Sequence, residues 1–213
     1  MPTLSEADSK RFLGACGIPF PEERVVHTPA EAVAAARDLG HPVVVKLGGD
    51  SIAHKSERGL VMLRLRGDDD VRQAAEQLLT MATPADGAVH LLVAPMLAGN
   101  RELIAGLHAD PQFGMTVMVG IGGVLTEALG DVAFRLVPIT RQDAHEMVDD
   151  LATQELLGEL RGEPPVDREA LCDILEALSD AATRDPAITG VDLNPLIVVD
   201  GRPVAVDALV EMT

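Results

Sequence analysis

Residues 43–61 read VVVKLGGDSIAHKSERGLV. The opening β-branched run is the composition of a buried strand, and Lys46 closes it. Gly48 and Gly49 follow, then a polar stretch carrying His54, Lys55 and Ser56. Gly59 leads into VMLRLR, which alternates with the period of two of a half-buried strand. The expectation is strand, glycine-rich polar loop, strand, with the glycines giving the loop freedom to move. The chain holds only three lysines, Lys10, Lys46 and Lys55, against fourteen arginines. Two of the three lie within this one segment, beside a histidine, and that placement asks for a chemical reason.

Working outward, residues 4–16 (LSEADSKRFLGAC) suit a helix capped by a serine, and GIPFPEERVV a short extended segment. TPAEAVAAARDLG has Thr28 at a cap, Pro29 at the first helical position and Gly40 just past the end. DDDVRQAAEQLLTMA predicts a helix with acids in its first turn, where the helix dipole favours them. From about residue 88 four short apolar runs follow: AVHLLVAPML, ELIAGLHA, MTVMVGIGG and AFRLVPI. TRQDAHEMVDDL and VDREALCDILEALSDAA are helices, each begun by a capping residue. The chain closes with GVDLNPLIVVDGRPVAVDALV, two apolar runs joined by Asp200-Gly201, the signal of a hairpin. The pattern is α/β, and it suggests two joined lobes at residues 1–88 and 89–213 with a cleft between them.

Composition removes several function classes. The chain is 47% hydrophobic and 24% charged, so it is globular rather than disordered. It has four Phe and no Trp or Tyr, too few for the stacking platforms of single-stranded nucleic-acid binders. A net charge of −17 repels nucleic acid and anionic membranes, though not a small anion held by a local cluster of donors. Cys16 and Cys172 have no metal-ligand spacing and read as inert core residues. No apolar stretch approaches the roughly twenty residues of a membrane span, so the expected compartment is the cytoplasm.

The candidate chemistry is weighed against plainer roles. A lysine at a strand end is ordinarily a solvated charge; on a rigid strand it can also hold phosphate as a point charge. A loop histidine is ordinarily a surface group, yet its neutral ring nitrogen is a good nucleophile near physiological pH. Gly120, Gly122 and Gly123 suggest a dinucleotide fingerprint, but Leu125 stands where a third glycine is required, so packing is the better explanation. Asp192 and Asn194, two apart on a strand, share a face, and an antiparallel partner can bring Asp207 opposite them. Three converging oxygen ligands suit Mg²⁺. The plainer account of DLNP is a turn with local side-chain capping.

LSEADSKRFLGACGIPFPEE, HPVVVKL, IAHKSERGLV, GNRELIAGLHADPQFG, GIGGVLTEALGDVAFRLVPIT and GVDLNPLIVVDGRPVAVDA follow one another over essentially the whole chain. In this order they resemble the ATP-grasp domain of NDP-forming acyl-CoA synthetases, the β subunit of ADP-forming acetate–CoA ligase, a relative of succinyl-CoA synthetase. The resemblance implies an ATP-grasp fold of two lobes clasping ATP or ADP with Mg²⁺. It implies Lys46 as the phosphate-binding lysine and His54 as the phosphoryl-carrying loop histidine. Asn194 and Asp207 fall on metal-binding positions, with Asp192 in an accessory acidic one. Glu102 falls in the nucleotide site, where the Ala94 carbonyl and the Met96 N–H would hold adenine. The family often has a Glu in the hinge strand where this chain has Pro95, and two glycines where it has Gly59-Leu60.

The implied reaction interconverts acyl-CoA, ADP and phosphate with the free acid, CoA and ATP. No second domain long enough to bind CoA is present, so an α-type CoA-binding partner is expected for turnover. A stand-alone carboxylate ligase of the same fold, with no use for a nucleophilic histidine, is the nearest alternative. A non-catalytic nucleotide-sensing module is another.

Overall fold

The computed structural model describes residues 3–49, 52, 58–123 and 130–213. They form helices α1 (Glu6–Ala15), α2 (Pro29–Leu39), α3 (Asp68–Thr80), α4 (Arg141–Asp149) and α5 (Arg168–Arg184). The strands are β1 (Arg24–Val26), β2 (Val43–Gly49), β3 (Val61–Leu65), β4 (Val89–Pro95), β5 (Glu102–Asp110), β6 (Gly114–Ile121), β7 (Val132–Leu136), β8 (Ile188–Val199), β9 (Arg202–Ala205) and β10 (Leu209–Met212). Two compact units result: Pro21–Leu97, and Met1–Phe20 with Ala98–Thr213. The expected division at residue 88 is displaced for two physical reasons. Strand β4 pairs with β1 and β2, so residues up to 97 stay with the first sheet. Helix α1 docks on β10, where Leu4 N–H donates to the Val210 carbonyl at 2.9 Å and Val210 N–H to Ser9 Oγ at 3.1 Å.

Unit Pro21–Leu97 is an antiparallel four-stranded sheet in the order β1-β4-β2-β3 with α2 and α3 packed on it. Thr28 Oγ1 accepts from Glu31 N–H at 3.2 Å, Pro29 opens α2, and Gly40 follows it at φ 86°, as the cap signals require. The core is aliphatic: Val33, Ala36, Val43, Val45, Leu47, Val71, Leu78, Leu91 and Val93 are all buried. Strand β2 is buried along its whole length and runs three residues past Lys46, to Gly49. Its two glycines therefore serve packing, not loop freedom. A Cβ on Gly48 would lie 2.3 Å from His90 Nε2, and one on Gly49 would lie 2.8 Å from the Asp86 carbonyl oxygen. Gly59 does have the left-handed backbone, φ 69°, that a side chain would strain.

The other unit is a sheet in the order β10-β8-β5-β6-β7, with β9 beside β8. Leu103, Ala105, Leu107, Val117, Val119, Leu193 and Leu196 line one face and form a core with α4 and α5. The alternate positions, Glu102, Ile104, Met118, Asp192 and Asn194 among them, belong to the opposite face. Asp200 and Gly201 join β8 to β9 with φ 49° and 85°, the pair of positive values that a tight two-residue hairpin needs. Close approach explains Gly120 and Gly122: a Cβ on Gly122 would lie 2.9 Å from the Glu102 carbonyl carbon. Among the described residues no helix is long and apolar enough to cross a membrane.

Gly49→Ala should destabilise the protein by about 1–3 kcal/mol, the usual cost of overpacking, in urea unfolding. A glycine needed only for chain freedom would instead give a gain of about 0.4–1 kcal/mol on the same change.

Candidate functional site

Strand β8 is twelve residues long and pairs with β5 on one side. On the other side it pairs first with β10, Leu209 facing Asp192, then with β9, Ala205 facing Leu196. Counting inward from either pair sets Asp207 opposite Asn194. Toward β5 the register slips: Ala105 faces Leu193 but Leu103 faces Leu196, so Asn194 and Pro195 together oppose Ile104. That is a β-bulge, a device that re-aims side chains and is common beside functional sites. Asp192 and Asn194 are exposed on the same face, and Asp207 is half-buried in the link between β9 and β10. Asp207 Oδ1 also accepts from Ala208 N–H at 2.9 Å, which helps to fix its carboxylate.

Two carboxylates and an amide thus gather at the bulge. All three donors are hard oxygens, which suit Mg²⁺. Among the described residues no three or more His, Cys, Asp and Glu side chains cluster to hold a metal. A Mg²⁺ ion at the bulge would therefore complete its shell with water and phosphate oxygens, the usual arrangement at nucleotide sites. Glu102 shares this face, four residues along β5 from Gly106, the partner of Asp192.

The other predicted residues lie in the unit Pro21–Leu97. Lys46 is not at a strand end but in the middle of β2, 8% exposed, between Val61 of β3 and Leu92 of β4. A buried cation so held loses little conformational freedom when it meets an anion. At the expected adenine hinge the ladder to β2 fixes which way the backbone groups point. Met96 N–H already donates to the Pro42 carbonyl at 2.9 Å, and Val44 with Ala94 is the next pair of the same kind along the ladder. The backbone groups of Ala94 and Met96 therefore point at β2. Those pointing the other way belong to Pro95 and Leu97, past the last β1 partner, Arg24 opposite Val93. Pro95 is tolerated in β4 because its missing N–H falls on that open side.

His54, with Lys55 and Ser56, lies outside the described residues. Its flanks are anchored. Ile52 is buried in the aliphatic core, and its N–H donates to the Gly49 carbonyl at 3.3 Å. Arg58 forks onto Asp86, Nη1 to Oδ1 at 2.7 Å and Nη2 to Oδ2 at 3.1 Å. Asp86 also accepts from Thr83 N–H at 2.7 Å and Thr83 Oγ1 at 2.8 Å. The Arg58 guanidinium first, then these Thr83 bonds, hold the Asp86 carboxyl well below the usual carboxylate range. Neither anchor was foreseen from the sequence, where Arg58 and Asp86 stand far apart without a shared motif. Cys172 is no competing nucleophile, since burial pushes its thiol up to about 11.

An ATP-grasp domain family matches residues 2–212. The β subunit of acetate–CoA ligase [ADP-forming] I from Pyrococcus furiosus is 38% identical over 208 residues, 96% of this chain and 90% of that one. The acetate–CoA ligase [ADP-forming] I of Archaeoglobus fulgidus is 37% identical over 94% of this chain, which spans 30% of that longer protein. A solved structure of the Ca. Korarchaeum cryptofilum dinucleotide-forming acetyl-coenzyme A synthetase 1 superposes with a TM-score of 0.84. It is 36% identical and is covered over 100% of this chain and 93% of that one. That structure holds coenzyme A and Mg-AMPPCP, with a phosphohistidine segment pointing towards the nucleotide binding site.

The sign of the Asp86 effect sets a pH test. A depressed carboxylate contributes stability fully above its ordinary pKa of about 4 and loses it as pH falls through its lowered folded value. Asp86→Asn should therefore lower the melting temperature by a constant amount between pH 7 and about pH 5, and the gap should narrow below about pH 4. A gap that ignores pH would show that the Asp86 charge is not what matters.

Proposed function

This chain belongs to the ATP-grasp domain family, and we propose that it is the nucleotide-handling subunit or domain of an ADP-forming acyl-CoA synthetase. The oxygen cluster at the β8 bulge carries this reading, in a chain that spans most of a ligase β subunit. Turnover then needs an α-type CoA-binding partner, and a reaction that interconverts ATP and CoA with ADP, phosphate and acyl-CoA fits the cytoplasm.

His54 is the phosphoryl carrier. Its neutral ring nitrogen attacks the phosphorus of an acyl phosphate, forming an N–P bond as the carboxylate leaves with the electron pair of the broken P–O bond. A terminal oxygen of ADP then attacks the same phosphorus, the N–P bond breaks, and the ring nitrogen recovers its lone pair. A phosphorylated histidine keeps a high transfer potential, whereas an ester at Ser56 would be too stable to return the group. The similar structure with a phosphohistidine segment and Mg-AMPPCP supports this route. Lys46 offers a fixed positive charge to the nucleotide phosphates. Asn194 and Asp207, with Asp192 beside them, would hold Mg²⁺, which neutralises phosphate charge when bound. Glu102 contributes to the nucleotide site from the same face. With Ala94 and Met96 turned toward β2, the Pro95 carbonyl and the Leu97 N–H are the hinge pair for adenine.

The decisive experiment incubates the chain with Mg²⁺ and radiolabelled ATP. The wild type should acquire an acid-labile, base-stable label, as expected of a phosphoramidate. His54→Ala should acquire none, yet still bind ADP. A label that survives acid, or one that persists in His54→Ala, would refute the carrier role. Lys46→Met should weaken ADP binding by about 1.5–3 kcal/mol, the range for a hydrogen bond to a charged group, and leave adenosine binding unchanged. Equal losses for both ligands in calorimetry would remove the phosphate role. Asp207→Asn should weaken Mg²⁺-dependent ADP affinity without lowering the melting temperature.

A further inference from the structure

The open face of the six-stranded sheet carries a feature that nucleotide binding does not use. Its side chains run in cross-strand rows, one of which is Asp192, Gly106, Met118 and Phe134. At the outer strand, β7, the three consecutive outward positions are Val132, Phe134 and Leu136, exposed by 37%, 50% and 54%. Phe113, in the turn between β5 and β6, is 65% exposed. Half of the four phenylalanines in a chain without Trp or Tyr are therefore in solvent, Phe134 at this edge, while Phe12 and Phe20 pack against the core.

Single exposed apolar residues are ordinary, but a run of three on an edge strand is not. An edge presents unpaired backbone groups to any other chain, and proteins usually blunt it with charge or cover it. Here the charge is on the neighbouring helix instead. α4, packed on β7, carries Asp143, Glu146 and Asp149, followed by Asp150. Arg168 pairs with Asp149, Arg135 with Asp150, and Arg141 with Glu169, Asp173 and Glu176, so acids outnumber bases at this rim. A second copy of this chain would bring like charge to that rim, on top of −17 on each molecule.

We propose that the outward row of β7 forms the docking surface for the CoA-binding polypeptide, which would present an apolar patch rimmed by Lys and Arg. This rests on the function proposed above. It is consistent with relatives in which a domain like this one is either a β subunit or part of a longer chain. Phe134 lies three strands from Asp192 in the same row, roughly 15 Å at the usual strand spacing. A partner seated on β7 would thus border the face that holds the metal ligands. Phe134 is the expected hot spot, since aromatic anchors dominate most interfaces.

The test titrates the chain with the CoA-binding polypeptide that restores acyl-CoA formation to it. Phe134→Asp and Leu136→Asp, singly and together, should weaken that association at least about 30-fold, as loss of a hot spot does. Melting temperature should be unchanged and Mg-ADP affinity should stay within twofold of wild type, showing an intact fold and nucleotide site. Val25→Asp, at an exposed apolar position of β1, should leave association unchanged. Wild-type affinity in the double variant would overturn the proposal while leaving the proposed function standing. Self-association that the same substitutions abolish would overturn it in favour of a second copy. If no CoA-binding polypeptide restores activity to the wild type, the proposed function itself falls, before any substitution is made.

Discussion

One strand's division of labour underlies the candidate metal site. β8 is paired on one side by β5 and on the other by β10 and β9 in turn, with a common register. An antiparallel ladder tolerates no drift, because a slip of one residue sends every side chain to the other face. The shared register therefore holds Asp207 opposite Asn194 although Asp207 lies in neither short strand. The bulge at Asn194-Pro195 absorbs one extra residue on the β5 side alone, so Asp192 and Asn194 keep their common face while Leu193 and Leu196 keep the core. A one-residue deletion there would undo both.

In the other unit the comparable constraint is steric. β2 is buried end to end, and its terminal glycines leave room for the His90 ring and the Asp86 carbonyl where Cβ atoms would stand. Ile52 in the core and Arg58 on Asp86 bound the segment carrying His54, so a histidine proposed to carry a phosphoryl group is flanked by two fixed points rather than two swivels.

Elements governed by local chemistry were legible in the sequence. Thr28, Pro29 and Gly40 delimit α2, Asp200-Gly201 makes the hairpin, and the strand pair Asp192 and Asn194 shares a face as period two requires. What was hidden depends on pairing between distant residues. β10 is only four residues long and has no signal of its own beyond its fit to the first half of β8. Lys46 reads as a strand end because Gly48 and Gly49 resemble a loop, and only His90 and Asp86 explain them as strand. That the backbone groups of Ala94 and Met96 face β2 follows from one hydrogen bond, Met96 N–H to the Pro42 carbonyl, that no local pattern encodes. Val132, Phe134 and Leu136 alternate as any half-buried strand does, and the sequence does not say which side is wet.

The interleaving of the two units also bears on the order in which the polypeptide can mature. Pro21–Leu97 is one continuous stretch, and every strand of its sheet is synthesised before β5. The first twenty residues, by contrast, wait. Ser9 receives its hydrogen bond from Val210, 201 positions later and three residues from the last. During synthesis α1 must remain undocked until β10 has been made, and closing so long a loop adds its own entropic delay. Deleting β10 would therefore unmoor α1 as well.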